Sequence, residues 1–79
     1  LVPKGNILIV QHSDRPGMIG KVGTLLGDRD INIAGMQVGR ESERGKAVMA
    51  LSIDNKVPES VMKELRKIEG LNTARLLAF

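Results

Sequence analysis

The sequence predicts a small α+β sandwich in which four antiparallel strands carry two helices on one face, in the chain order βαββαβ. Three observations predict it. Two segments repeat apolar residues with the period of a helix, four segments have the composition of strands, and Gly, Pro or Asp residues separate them. With 79 residues, the chain is long enough for one core only. We therefore expect residues 1–79 to form a single domain.

The first strand and the first helix are predicted at residues 6–12 and from Pro16 onward. The run "NILIVQH" is β-branched and aliphatic and lies between Gly5 and the polar "SDR", which indicates a strand that is buried on both faces. Pro16 suits a first helical turn because it has no amide hydrogen to leave unpaired. The helix is predicted to end within residues 27–30, and its apolar stripe consists of Met18, Ile19, Val22, Leu25 and Leu26.

A hairpin is predicted next. The segment "INIAGMQVGR", residues 31–40, alternates in polarity, but its apolar phase slips at Gly35, which indicates a bulge. The polar turn "ESERG", residues 41–45, leads into "KAVMALSID", residues 46–54, where apolar residues recur at every second position. The second strand is therefore the first half of an antiparallel pair.

The remaining chain is predicted to form a helix and a strand. Pro58 can open the helix, Gly70 ends it, and "LNTARLLAF", residues 71–79, forms the last strand. This order of elements is the ferredoxin-like sandwich, in which the second strand lies at an edge of the sheet. Because many unrelated functions share this fold, the function has to be inferred from sites.

Composition excludes several classes of partner. The net charge is +3 and the basic residues alternate with acidic ones, which is typical of a solvated surface and not of a nucleic-acid face. RNA-recognition domains of this topology stack bases on aromatic residues, but Phe79 is the one aromatic residue here. No run of about 18 apolar residues predicts a membrane span. The chain has no Cys, so it lacks thiolates for a soft metal, and the cytoplasm is the expected location.

Catalytic patterns are also missing. The letters "HSD" at residues 12–14 suggest a nucleophilic triad, but His12 and Ser13 are neighbours on an extended chain and point to opposite faces. The Gly-Lys pair at residues 20–21 precedes Val22 and not the Ser or Thr of a phosphate loop, and the glycines lack dinucleotide-binding spacing. We expect no catalytic residue, metal or cofactor here. The chain starts with Leu, so we expect a fragment of a longer enzyme.

The junction between the first strand and the first helix is the best candidate for a ligand site. Asp14 can either cap the helix or face a ligand. The amide groups of the first turn, from Gly17 to Ile19, can bind a carboxylate, and Gly17 leaves room for it. Gly20 and Gly23 are unfavourable inside a helix by about 1 kcal/mol each, and close approach to the sheet accounts for Gly23.

The stretch "HSDRPGMIGKVGTLLGDRDINIAGMQVGR" resembles the ACT domain, in which Asp or Asn, one residue and Pro-Gly precede an apolar helix and "INI" opens the second strand. The resemblance extends from about Gly5 to the end. It is closest to the C-terminal ACT domains of D-3-phosphoglycerate dehydrogenases through "NIAGMQVGR", "GKAVMALSID" and "ARLLAF". It implies a regulatory domain that binds a small amino acid between two copies, with L-serine as the feedback effector. NAD is then expected only in the catalytic domains of the parent enzyme.

The resemblance also implies a ligand set. His12 and Asp14 match the family's serine contacts, together with Asn32 from the second copy, and Gly17, Met18 and Ile19 supply backbone donors. Serine-binding members carry Asn at the position of Asp14. Independently, the long uncharged edge strand predicts a homodimer with one continuous eight-stranded sheet, and apolar residues at both strand parities predict a covered outer sheet face. Two alternative functions stay open. The chain could be a ligand-free dimerisation module, or it could be the ACT domain of an L-serine dehydratase.

Overall fold

The computed structural model describes residues 5–40 and 45–78 and contains a four-stranded sheet with two helices. The strands lie in the order β2-β3-β1-β4, and every neighbouring pair is antiparallel. The predicted fold class is thereby confirmed. The elements are β1 Asn6–Ser13, α1 Met18–Asp28, β2 Ile33–Arg40, β3 Lys46–Ile53, α2 Glu59–Arg66 and β4 Leu71–Ala78.

Strand β1 lies in the middle of the sheet and forms the centre of the core. Leu8 and Val10 are fully buried on the face that carries the helices, and Ile7 is buried on the other face. Directly opposite residues of an antiparallel pair share a face. Ala47, Met49, Leu51 and Ile53 of β3 therefore lie beside the helix-side residues of β1, and all four are buried as the period-two pattern predicts.

Helix α1 covers the sheet with Met18, Val22 and Leu26, which are all buried. It begins later than predicted, because Gly17 has φ +91°, a left-handed conformation that ends the irregular segment before the first helical residue. Ile19 is 46% exposed and does not belong to the buried stripe, since adjacent helical residues differ by about 100° in direction.

Helix α2 covers the sheet with Val61, Met62 and Leu65. Pro58 has an extended conformation (φ −60°, ψ 151°) and is the capping residue, so the helix begins one residue after the predicted position. Arg66 connects α2 to the sheet, because its Nη2 donates to the carbonyl of Ala74 at 3.0 Å. No helix in the described ranges has both the length and the apolar character to cross a membrane.

The β2–β3 pair is the predicted hairpin, and its bulge is confirmed. Ile33 lies opposite Ile53, but Gly35 lies opposite Ser52, so Ala34 has no counterpart on β3. Residues 41–44 of the predicted turn lie outside the described residues. The extra residue brings the apolar residues on either side of the slip onto the same face.

Strand β2 forms one edge of the sheet, as predicted, and most of it is exposed. Met36 and Val38 lie opposite Leu51 and Met49 and therefore share the helix-side face. They are nevertheless 43% and 44% exposed. The edge strand consequently presents two apolar side chains beside its outer backbone groups, a combination that favours pairing with another strand.

The face away from the helices is apolar at its centre. The residues of this face that β1, β3 and β4 contribute include Ile7, Ile9, Val48, Ala50 and Leu77. They alternate with the helix-side residues along each strand. Cover of this face by another part of a longer protein stays a prediction.

Gly20 and Gly23 do not mark a close approach of α1 to the sheet. A Cβ atom built at either position would meet no other heavy atom within 4 Å. The expected packing reason for Gly23 is therefore wrong. Close packing against the described residues therefore does not account for the helix-destabilising effect of these two glycines.

Candidate functional site

The predicted ligand residues lie at two opposite ends of the sheet. His12 lies opposite Ala47 and therefore in line with Arg40 at the end of β2, whereas Asn32 immediately precedes Ile33 at the start of that strand. Seven residue steps along an extended strand correspond to about 23 Å. Within one copy of the chain, Asn32 therefore cannot share a small ligand with His12.

The N-terminus of α1 presents amide groups that the helix itself does not use. The first helical bond runs from the amide of Lys21 to the carbonyl of Gly17 at 2.9 Å, so the amides of Met18, Ile19 and Gly20 precede the intrahelical pattern. Among the described residues no side chain caps this helix, so of the two roles left open for Asp14 the structure does not show helix capping. Amides at the positive end of a helix dipole suit a carboxylate.

The three backbone positions predicted at this helix entrance differ in access. Gly17 is exposed, and a Cβ atom there would meet no heavy atom within 4 Å. The side chain of Met18 is buried in the core, so only its amide is available to a ligand. Ile19 is half-exposed, and its side chain adds an apolar surface beside the same amides.

His12 is a buried polar residue at the end of the sheet where β2 finishes. Its ring is 3% exposed, and Nδ1 lies 2.8 Å from the carbonyl oxygen of Ser13. A carbonyl only accepts, so Nδ1 carries the proton and Nε2 is left as an acceptor. Within the described ranges, Nε2 has no hydrogen-bond partner. A ligand hydroxyl or ammonium group that donated to Nε2 would remove the cost of this buried unpaired acceptor.

Asp14 joins the β1–α1 junction to the β2–β3 hairpin. Its amide donates to the carbonyl of Gly45 at 2.7 Å, and its Oδ2 lies 2.8 Å from Nε of Arg40. The carboxylate therefore has a positive charge beside it at the end of the edge strand. Sequence reasoning did not identify Arg40, although it is the one charged residue within β2 and directly precedes the polar turn.

Asn32 is engaged at the other end of the sheet. Its Nδ2 donates to Oδ2 of Asp54 at 2.9 Å. This bond fixes the side-chain amide so that Oδ1 remains as an acceptor. Sequence reasoning also missed Asp54, which directly follows β3.

An open groove of about 750 Å³ separates α1 from α2, but it does not contain the predicted ligand set. Leu25 and Ile68 contribute apolar surface to it, and Gly17 is its one residue from the predicted set. Glu64 at its side pairs with Arg29 at 2.9 Å, and this hydrogen bond raises the pKa of the guanidinium. Its lining residues are Gly17, Gly20, Lys21, Thr24, Leu25, Asp28, Glu64, Ile68 and Glu69.

Metal chemistry finds no support in the described part of the chain. There, no three His, Cys, Asp or Glu side chains lie together so that they could hold a metal ion. The polar groups at the α1 entrance are instead amides, one imidazole acceptor and one ion pair. Such a set is suited to a small zwitterion.

Comparison with known proteins gives one family and a consistent group of relatives. The family model described as ACT domain matches residues 6–70. D-3-phosphoglycerate dehydrogenase of Synechocystis sp. is 47% identical over 72 residues, which are 91% of this chain and 13% of the relative. The enzyme of the same name from Bacillus subtilis is 44% identical over 75 residues, or 95% of this chain and 14% of the relative. The chain thus spans only about a seventh of these relatives.

Solved structures support the same fold. The ACT domain from the GTP pyrophosphokinase of Chlorobium tepidum, determined by solution NMR, superposes with a TM-score of 0.69. The superposition covers 94% of this chain and 85% of that one at 22% sequence identity. At this identity the likeness concerns the fold alone.

Proposed function

The chain belongs to the ACT domain family, and we propose that it is the domain through which L-serine regulates a D-3-phosphoglycerate dehydrogenase. The identity of 44–47% over more than nine-tenths of the chain supports this parent over L-serine dehydratase. The remaining part of the parent then carries NAD and the catalytic residues, in the cytoplasm. Serine acts as a feedback inhibitor of that part.

One observation carries the proposal. Among the described residues, no side chain caps the start of α1, and Nε2 of His12 in the preceding strand has no hydrogen-bond partner. A zwitterionic amino acid needs donors for its carboxylate and acceptors for its ammonium group. The amides of Gly17, Met18 and Ile19 supply donors, and Asp14 Oδ1 supplies an acceptor. His12 Nε2 then accepts from the serine hydroxyl, which distinguishes serine from alanine.

The second copy completes this set. Antiparallel pairing of two β2 edges about a two-fold axis places the start of one strand beside the end of the other. Asn32 of the second copy then lies near Arg40 and Asp14, although about 23 Å separates the two ends of β2 within one copy. Two equivalent ligands therefore lie at the dimer interface, each contacted by both copies.

A ligand shared by two copies stabilises their paired arrangement. A site that exists only in the dimer shifts the equilibrium toward it by RT ln(1 + [L]/Kd), which is about 2.7 kcal/mol at a hundredfold excess over Kd. The catalytic domains respond to the ligand if one of their arrangements requires the two copies of this domain to be paired. This is the physical basis of the proposed feedback.

Calorimetric titration of the chain tests the proposal. We expect L-serine to bind with one ligand per copy, and L-alanine to bind more weakly because it leaves His12 Nε2 unpaired. In the longer enzyme, L-serine should lower turnover. Absence of binding by L-serine would reject the proposal.

A ligand-free dimerisation module is the second candidate, and the exposed apolar pair Met36 and Val38 on the edge strand favours it. It predicts a dimer whose stability is independent of every amino acid tested. Sedimentation velocity with and without L-serine separates the two candidates, since only a regulatory site makes the dimer dissociation constant depend on the ligand.

A further inference from the structure

We propose that Arg40 compensates the charge of Asp14 in the ligand site and thereby makes the site selective for a zwitterionic amino acid over a simple amine. This inference rests on the proposed function, because it concerns the same ligand. It adds Arg40, the last residue of β2, to the proposed ligand residues. Arg40 acts through Asp14 and is therefore a positioning and charge-compensating residue.

Asp14 places a negative charge at the proposed ligand site. Its side chain is 30% exposed, in the segment that leads from His12 to the α1 amides. An uncompensated carboxylate there would repel the carboxylate of an approaching amino acid. Nε of Arg40 at 2.8 Å from Oδ2 cancels this negative charge.

The ion pair leaves one carboxylate oxygen of Asp14 available. Arg40 contacts Oδ2, and among the described residues Oδ1 of Asp14 has no hydrogen-bond donor. Oδ1 can therefore accept from the ammonium group of the ligand while the α1 amides bind its carboxylate. A charge-compensated carboxylate with one acceptor oxygen for the ammonium group, beside several amide donors, is complementary to a zwitterion.

Arg40 is the last residue of the edge strand, and its side chain is 75% exposed. The amide of Asp14 is also bonded to the carbonyl of Gly45, which directly precedes β3, so Asp14 is held to the β2–β3 hairpin by its backbone and by its side chain.

Selectivity follows from these charges. Ethanolamine has the ammonium and hydroxyl groups of serine but no carboxylate, so it adds a net positive charge to the site. With Arg40 present the Asp14–Arg40 pair has no net charge and attracts this cation little. Without Arg40 the negative charge of Asp14 attracts ethanolamine and repels the carboxylate of serine.

The test is a double-mutant cycle measured by calorimetry with L-serine and with ethanolamine. The variants are Arg40→Gln, Asp14→Asn and the two combined, with Arg75→Gln as the control that removes one exposed positive charge elsewhere. We expect Arg40→Gln to weaken L-serine binding and to strengthen ethanolamine binding, each by about three- to fivefold, because the exposed pair is partly screened by solvent. Asp14→Asn leaves the charge of Arg40 uncompensated and should weaken ethanolamine binding, whereas the combined variant has neither charge and should regain the wild-type preference for L-serine. Arg75→Gln should alter neither affinity.

Other outcomes would overturn the inference. If Arg40→Gln weakens both ligands in parallel, or if the combined variant keeps the altered preference of Arg40→Gln, then Arg40 has a structural or direct binding role. If sedimentation shows that Arg40→Gln dissociates the dimer, its effect belongs to the interface. Arg40→Lys, which keeps the charge, should retain the wild-type preference, and loss of that preference would also contradict charge compensation. If L-serine does not bind to the wild-type chain, the proposed function fails first and this inference with it.

Discussion

Asn32 donates a 2.9 Å hydrogen bond to Asp54 at the end of the sheet opposite to His12. The bond holds an exposed side chain in one orientation with its carbonyl oxygen available. Because the two ends of β2 are about 23 Å apart, a single copy cannot bring Asn32 and His12 to one ligand. A role for Asn32 in binding therefore requires a second copy, and this requirement can be tested.

Asn32→Ala is expected to weaken L-serine binding by about 1–3 kcal/mol, because one hydrogen-bonding partner of a charged ligand is lost. The fold should be unaffected, since Asn32 is exposed and its one side-chain hydrogen bond among the described residues is to Asp54, which is also at the surface. Calorimetry measures the affinity, and circular dichroism checks the fold. Asn72→Ala, an exposed asparagine on β4, is the matched control. Equal affinity for the Asn32 variant and the wild type would place the site elsewhere.

Val38→Lys is expected to convert the proposed dimer into a monomer at about 0.1 mM, because a charge on an edge strand opposes pairing with another strand. Val38 is half-exposed, so the change should cost little stability within one copy. Sedimentation equilibrium measures the mass. Leu77→Lys changes an equally exposed side chain on the face away from the helices and should leave the dimer intact. A dimeric Val38 variant would contradict assembly through β2.

His12→Leu separates ligand binding from stability. Alanine at this buried position would open a cavity, whereas leucine keeps most of the volume. The change removes the unpaired Nε2, and this gain should offset the loss of the Nδ1 bond to Ser13. We expect the free energy of unfolding to change by no more than about 1 kcal/mol, while L-serine affinity falls. Urea unfolding at fixed protein concentration measures the first quantity and calorimetry the second. Unchanged serine affinity would show that Nε2 does not face the ligand.

The order of elements was predictable because it depends on local periodicity. The period-two run of β3 and the slip at Gly35 both appear in the structure as sequence reasoning placed them. The starts of the helices were less accurate. Gly17 adopts a positive φ, so Pro16 precedes the helix instead of opening it. Ile19 is exposed because it points away from the buried stripe of α1.

The partners within the candidate site were not predictable in the same way. Asp14 pairs with Arg40, which is 26 positions away, and Asn32 pairs with Asp54, which is 22 positions away. These pairs depend on the register of strands that meet only in the folded chain, and no local pattern encodes them. Local reasoning consequently offered helix capping as one role for Asp14, because the amides of the first helical turn are the partners that lie near it along the sequence.

Gly20→Ala is expected to stabilise the chain by about 0.5–1 kcal/mol, because alanine favours a helix interior and restricts the unfolded chain. Gly20 lies within α1 beside the open groove, and a Cβ atom there meets no heavy atom within 4 Å. Urea or thermal unfolding at fixed concentration measures the change. Gly17→Ala is the opposing control, since its φ of +91° is unfavourable for alanine and the variant should lose stability. If Gly20→Ala destabilises the dimer instead, the groove is in contact with another surface in the assembled protein.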